Sequence, residues 1–394
     1  MARIDSIEHV DTLEGMRRLA SEWQSLSDAR SPWLPFLGPT WNVLWWKHLA
    51  EQRPLMRDRL CLRALRAQDG ELIAVAPLMI TERPGTGPLR VRMLQLLGAD
   101  PLITEARGIA CRNEHEALTY RTLLAHLEAE SDTWDLMRWG KFRSGGGAHA
   151  ALGSSTGVEV FESAPNFYLQ LPSSWAEFTG RLPRNIKESL RKCYNSLKRA
   201  GLRFEFRALD TQNGGLAGVN RFFELHGLRA RCEDTVSHND VFGAPESHAF
   251  LREYFREAPV GSALVFQLLI EDEVVATRIG FRSGSSLYLY YSGYEPAFGR
   301  YSVMTTLLAE TLKWALEQKI ATVNLSFGDD VSKTRWRPES VSFHEARWAS
   351  PSSRGRFLER SLASLNVLHQ HKRWGPVARL VLRPFGTRTT NMHG

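Results

Sequence analysis

Two carboxylates and two cations crowd the end of one strand-like run. Asp329 and Asp330 follow the run Ala321 to Phe327, and Lys333 and Arg335 come directly after. Active sites in α/β proteins gather at the C-terminal ends of strands, so either aspartate can serve as a general base; otherwise it is a solvated turn acid. A compact ammonium at Lys333 can stabilise a developing oxyanion or hold an acidic acceptor, and Arg335 can do the same. Both also read as solvated loop charges. Upstream, Tyr288, Tyr290, Tyr291 and Tyr294 share one strand-like segment, where alternate residues face opposite sides. Tyr290 or Tyr294 can therefore donate a proton into a cleft, or pack in a core. His226, beside Glu224 in a helical stretch, is a further base candidate whose bland alternative is a structural histidine.

Other chemistries are poorly served. Gly153-Ser154-Ser155-Thr156-Gly157 has the spacing of a hydrolase elbow, but a loop leading into the strand Val158 to Ser163 is the wrong order for one. There is no Walker loop, dinucleotide fingerprint or HExxH. No metal is expected: His369-x-His371 is an isolated pair, and the four cysteines are far apart with no CxxC. That cysteine usage fits a reducing, cytoplasmic setting, and neither an apolar leader nor a membrane-spanning run is visible. The net charge of +7 is concentrated. Residues 353–394 hold eight Arg and Lys against Glu359 alone, leaving residues 1–352 near neutrality. A body that is not basic argues against a nucleic-acid-binding domain.

The elements that must hold these residues occur in one order, twice. In the second half, Ala263 to Ile270 and Val274 to Phe281 read as a hairpin turned at Glu271-Asp272-Glu273. Leu287 to Tyr291 is the next strand, then a helix from Ser302 to Gln318, then the strand Ala321 to Phe327. In the first half, Leu60 to Ala67 and Leu72 to Thr81 form a hairpin at Gln68-Asp69-Gly70-Glu71. Leu89 to Leu97, a helix from Glu114 to Glu130 and the strand Trp134 to Gly140 complete the set. The predicted fold class is α/β (α+β), with tandem lobes of mixed sheet flanked by helices. The lobes span residues 1–150 and 160–352, the Gly/Ser-rich stretch Ser144 to Gly157 is the linker, and 353–394 is a basic tail. Helices are expected from an Asp11-x-x-Glu14 capping box, over Thr40 to Glu51, over Pro183 to Ala200 and over Arg221 to Arg231. On the third of these, Arg184, Lys187, Arg191 and Lys198 share one face.

The segment Asn324-Leu325-Ser326-Phe327-Gly328-Asp329-Asp330-Val331-Ser332-Lys333-Thr334-Arg335-Trp336 resembles the strand-end motif of a GNAT-like acyltransferase family. That family includes bacterial proteins associated with cellulose and other exopolysaccharide biosynthesis, and is related to the Fem-type peptidoglycan aminoacyltransferases. Gly328, Asp329, Lys333 and Trp336 match in type and spacing; Asn324 stands where Asp is usual and Ser332 where Tyr is usual. Phe36-x-x-Pro39-x-Trp41 with Trp45-Trp46, Ala74 to Leu78 and the basic helix after Arg181 also resemble family segments, over residues 10–350. The resemblance implies two GNAT lobes and an acyl-CoA donor, acetyl-CoA foremost. Its thioester enters between two splayed strands, here Leu287 to Tyr291 and Val323 to Phe327. It places the pyrophosphate on Arg300, Tyr301, Ser302, Val303 and Met304 at a helix start, with Tyr291 and Asn324 beside the thioester. Trp41, Arg184, Lys187, Arg335 and Trp336 fall on the acceptor side. This turn has Gly only at Gly299, whereas family members carry Gly within it.

The acceptor expected is an amine or hydroxyl on a small molecule or glycan, such as an envelope polysaccharide precursor. The gly-poor turn is also compatible with aminoacyl-tRNA as donor, the one nucleic-acid partner considered. The basic helix and tail suit an anionic partner, including a membrane surface, or are a solvated face and a loose tail. A non-catalytic binding protein on the same scaffold is the competing class.

Overall fold

The computed structural model describes residues 3–84, 90–100, 102–232 and 238–369. The first half opens with strand β1 (Ser6–Val10) and helices α1 (Leu13–Arg18), α2 (Ala20–Asp28) and α3 (Pro39–Leu49). Strands β2 (Gln52–Arg53), β3 (Met56–Leu60), β4 (Leu62–Arg66), β5 (Leu72–Ala76), β6 (Leu78–Arg83), β7 (Val91–Leu96) and β8 (Ala110–Cys111) follow. Helix α4 (Glu116–Ala129), β9 (Leu136–Arg143), α5 (Gly147–Ser154) and β10 (Val158–Gln170) close it. After α6 (Trp175–Arg181) and α7 (Arg184–Arg199), the second half repeats the order. It runs β11 (Phe204–Leu209), α8 (Gly215–Ala230), α9 (Pro245–Glu257), β12 (Ala263–Ile270), β13 (Glu273–Ser283) and β14 (Ser286–Tyr294). Then come α10 (Val303–Glu317), β15 (Thr322–Phe327), α11 (Val331–Thr334), β16 (Glu339–Ala349) and α12 (Ser353–His369).

The tandem arrangement is present, and the halves share one sheet. Twelve strands run in the order β11-β12-β13-β14-β15-β10-β16-β9-β7-β6-β3-β2, with β1-β4-β5-β8 as a second sheet. Each half contains one parallel pair: β7 with β9, and β14 with β15. The closing strands are exchanged. β10, from the first half, pairs with β15, and β16, from the second, pairs with β9, while β10 and β16 pair with each other. Each half thus supplies the strand that covers the other's parallel pair.

Several expected elements are altered by tertiary packing. The first hairpin is split at Cys61 and Pro77, so its strands serve both sheets; Pro77 has no N–H to continue a ladder. The expected strand from Leu89 begins at Val91, and Leu89 lies outside the described residues. The Asp11 capping box is corrected: Thr12 is the N-cap, its hydroxyl accepting the Gly15 N–H at 3.1 Å. The stretch Ser144 to Gly157 contains helix α5. A Cβ on Gly147 would lie 2.5 Å from the Ala117 nitrogen, so glycine is what lets α5 sit against α4. The elbow-like GxSxG spans the end of α5 and the turn into β10, so a helix rather than a strand leads into it. Helix α12 begins the basic tail as a docked element: Arg354 Nε meets Asp135 Oδ1 at 2.9 Å, and Gly355 abuts the Ser350 carbonyl. Residues 370–394, including His371, lie outside the described residues. Among the described residues, no helix is long and apolar enough to cross a membrane.

Candidate active site

The parallel pair β14/β15 is joined over only three positions: Ser286 with Thr322, Leu287 with Val323 and Tyr288 with Asn324. Beyond Tyr288 the strands part, leaving the gap expected between them. Two local features end β15 there. The Asn324 Oδ1 accepts the Ser326 N–H at 2.8 Å, and Ser326 adopts φ 70°, a left-handed conformation that turns the strand aside. On the other flank β10 stays paired, with Tyr168 opposite Asn324 and Asn166 opposite Phe327.

The first half contributes a carboxylate to this gap that sequence reasoning did not single out. The Tyr288 hydroxyl donates to Glu105 Oε2. Glu105 sits in the loop between β7 and β8, which Asp100 organises. The Asp100 carboxylate accepts the N–H groups of Leu102 (3.0 Å) and Thr104 (3.1 Å), the Thr104 hydroxyl (2.9 Å) and the Trp45 indole (2.7 Å). Burial pushes the Glu105 carboxyl above the usual range, while the Tyr288 hydroxyl, Lys333, Lys141 and Arg278 pull it back. Lys141, on β9, donates to the Glu105 carbonyl at 2.9 Å and lies 4.3 Å from the Phe327 ring centroid.

Cations line the rest of the mouth. Burial lowers Arg278 to about 10; its Nε has no hydrogen-bond partner, and it makes no ion pair among the described residues. Such an uncommitted, half-buried guanidinium is a ready anion holder. Arg229 donates to the Ser292 hydroxyl at 3.1 Å and contacts His238 Nε2 at 2.6 Å. Desolvation and Arg229 hold His238 at about 4, so it is neutral. Lys333 curls back onto the end of β15, donating to the Ser326 hydroxyl (3.1 Å) and to the carbonyls of Phe327 and Gly328. Burial lowers its pKa, opposed by Glu105 and Asp330.

The other expected site residues divide by what their polar atoms already do. Asp330 is the N-cap of α11, its Oδ1 accepting the Ser332 N–H at 2.7 Å, and Asp329 is exposed. Tyr290 and Tyr291 are corrected as proton donor and thioester contact: their hydroxyls donate to the Ile103 and Leu102 carbonyls and anchor the Glu105 loop. His226 is corrected as a base. Its Nδ1 faces the Ser292 carbonyl at 3.0 Å, its Nε2 accepts the Val241 N–H at 3.4 Å, and burial depresses its pKa. A neutral, fully bonded imidazole has no free nitrogen for proton abstraction. Tyr294 stays half-buried with Arg229 5.9 Å from its ring centroid.

Trp41 and Trp336, expected on the acceptor side, are both buried in the core. Trp41 is 1% exposed, donates to the Thr104 hydroxyl at 3.1 Å and packs edge-on to Phe36, Phe250 and Phe281. Trp336 stacks on Phe178 at 6.4 Å. Arg335 ties α11 to α7 through the Ser189 hydroxyl at 2.7 Å. On α7, Arg184 pairs with Glu188 at 2.8 Å and Lys187 caps the Gly180 carbonyl at 2.9 Å. The start of α10 is open: Arg300 and Ser302 are exposed, Tyr301 and Met304 are half-buried and Val303 is buried. Ser302 occupies the N-cap at φ 55° without a side-chain cap. The N–H groups of Val303 and Met304 have no backbone acceptor among the described residues, as a phosphate-binding helix start requires.

Beside Lys141 and Phe343 lies a cavity of about 330 Å³ in the first half. Arg30, Arg107, Lys141 and Arg143 line it with one carboxylate, Glu116. Glu116 is taken by Arg30 at 2.7 Å, so the cavity is strongly cationic. A second cavity, about 500 Å³, lies between α2, α9 and the β13–β14 turn and is bordered by Trp41.

Residues 184–336 match the family model described as acetyltransferase (GNAT) domain, so the second half carries a GNAT domain. Among solved structures, the chain resembles that of FemX, at 12% identity and a TM-score of 0.56, covering 86% of this chain and 97% of that one. It also resembles a tandem GNAT protein from the clavulanic acid biosynthesis pathway, at 10% identity and a TM-score of 0.45, covering 88% and 100%. Among curated proteins, none matches this sequence.

Proposed function

We propose that this chain transfers an acyl group from coenzyme A, acetyl foremost, to an amine or hydroxyl on an acceptor that carries negative charge. One observation carries the reading: the β14/β15 pairing of the GNAT domain ends at Tyr288, whose hydroxyl donates to Glu105 from the first half, with Lys333 and Arg278 near enough to favour that carboxylate. The thioester carbonyl enters the gap, with the donor's phosphates on the open start of α10. Glu105 takes the proton from the acceptor nitrogen or oxygen as that atom attacks the carbonyl carbon. The resulting oxyanion is held by backbone N–H groups of β14 beyond Tyr288 and by the cationic mouth. Collapse breaks the carbon–sulfur bond, and the leaving thiolate takes a proton from Tyr294, since the hydroxyls of Tyr290 and Tyr291 are committed to carbonyls. The cationic cavity beside Lys141 suits a phosphorylated or carboxylated glycan precursor.

A second donor, aminoacyl-tRNA, is favoured by one feature. Helix α7 presents Arg184, Arg191, Lys192, Lys198 and Arg199 as exposed cations, a surface suited to a phosphate backbone. The test is release of free thiol from acetyl-CoA and longer acyl-CoAs with amino sugars, sugar phosphates and nucleotide sugars as acceptors. Transfer from charged tRNA with no thiol release would establish the second donor. Binding of the acceptors with neither reaction would make the chain a non-catalytic binding protein.

A further inference from the structure

A cluster remote in sequence from the strand-end motif has the geometry of a metal site. His9 on β1 faces His126 on α4 and Glu130 at the C-cap of that helix. His126 and Glu130 are four residues apart and share a helix face. Their ligand atoms converge. His9 Nε2 lies 3.2 Å from His126 Nε2 and 3.4 Å from Glu130 Oε1, and His126 Nε2 lies 3.3 Å from the same oxygen. A tetrahedral ion about 2.05 Å from each of its ligands holds them about 3.3 Å apart. The three separations therefore describe one face of such a tetrahedron.

The surroundings prepare each ligand. The other Glu130 oxygen, Oε2, is taken by Arg63 at 2.7 Å, which turns Oε1 toward the histidines in the manner of an outer-shell partner. Arg63 Nε donates to His126 Nε2 at 3.4 Å, a long contact that a bound ion would displace. Two imidazoles this close cannot both be charged without repulsion, and an ordinary hydrogen bond between them uses only one proton. Arg63 is 9% exposed and its charge is met by Glu130, so it orients the site while moderating its affinity. The His9 side chain is 49% exposed, which leaves the ion an entry path and a fourth position open to water.

We infer that His9, His126 and Glu130 bind one divalent transition ion, zinc by ligand type and geometry, which clamps strand β1 to helix α4. Among the described residues β1 is an edge strand, paired only with β4, so the clamp fastens the edge of the smaller sheet. This inference does not depend on the acyl-transfer reading.

The experiment is a zinc titration of full-length, chelator-stripped protein against a chromophoric competitor, repeated with His9→Ala, His126→Ala and Glu130→Gln. One ion per chain is expected, with affinity falling about 100-fold in each histidine variant. Cobalt(II) should give the intense visible absorption of a tetrahedral site, and zinc should raise the unfolding temperature of the parent but not of His9→Ala. His9 is exposed, so that variant keeps the fold even if His126→Ala does not. No stoichiometric zinc binding, or an affinity unchanged in His9→Ala, would overturn the site.

Discussion

Replacing Tyr288 with Phe tests the proposed base through its pH profile. The Tyr288 hydroxyl donates to Glu105 Oε2 and thereby favours the ionised carboxyl. Phe keeps the ring packed on Phe36, whose centroid is 5.2 Å away, and removes only the donor. A hydrogen bond to a charged group contributes about 1.5–3 kcal/mol, and one pKa unit is about 1.4 kcal/mol, so the Glu105 pKa should rise by about 1–2 units. Lys333, Lys141 and Arg278 still favour the charged form, which places the change toward the lower end of that range. A base must be deprotonated to act, so the acidic limb of kcat/KM should move to higher pH by about one unit. The loss is largest below neutrality and vanishes on the alkaline side. The assay is thiol release from the best acyl donor between acid and alkaline pH. An acidic limb in the same place as the parent's would refute Glu105 as the base; a shift of the alkaline limb instead would make it a general acid.

Three other substitutions probe the same region. Glu105→Gln should lower kcat by about 10²–10⁴-fold. Since burial raises the folded-state pKa of Glu105, its contribution to stability is lost as pH rises through that value; the variant should therefore unfold no earlier than the parent at alkaline pH, as read by thermal melts. Lys333→Met should cost about 2 kcal/mol of stability through its lost bond to the Phe327 carbonyl. It should also cost about 100-fold in kcat; a stable variant with parental kcat/KM would mean the ammonium plays no part. Gly293→Ala would set a Cβ 2.3 Å from the His226 nitrogen, forcing α8 away from β14. A destabilisation of about 1–3 kcal/mol is expected by denaturant titration, and an unchanged midpoint would show that this contact yields freely.

Local pattern was enough to read the repeated units, because hairpin turns and helix faces are set by neighbouring residues. Glu271 and Asp272 take the positive φ of a tight turn, Arg184–Arg199 forms the basic helix, and Val303–Glu317 follows Ser302. The β14/β15 gap could likewise be placed from the strand-end motif. What each side chain does there could not, since that depends on partners distant in the chain. Tyr290 and Tyr291 looked like cleft phenols, yet their hydroxyls are committed to carbonyls of a loop nearly two hundred positions earlier. His226 looked free until the Ser292 carbonyl and the Val241 N–H took both its nitrogens. Glu105 carried no local signal, because its chemistry arises only when the first half folds it against Tyr288. The same holds for His9 and His126, which meet across 117 positions. The exchange of β10 and β16 was invisible for a related reason: alternation marks a strand's buried face, and says nothing of which neighbour completes its hydrogen bonds.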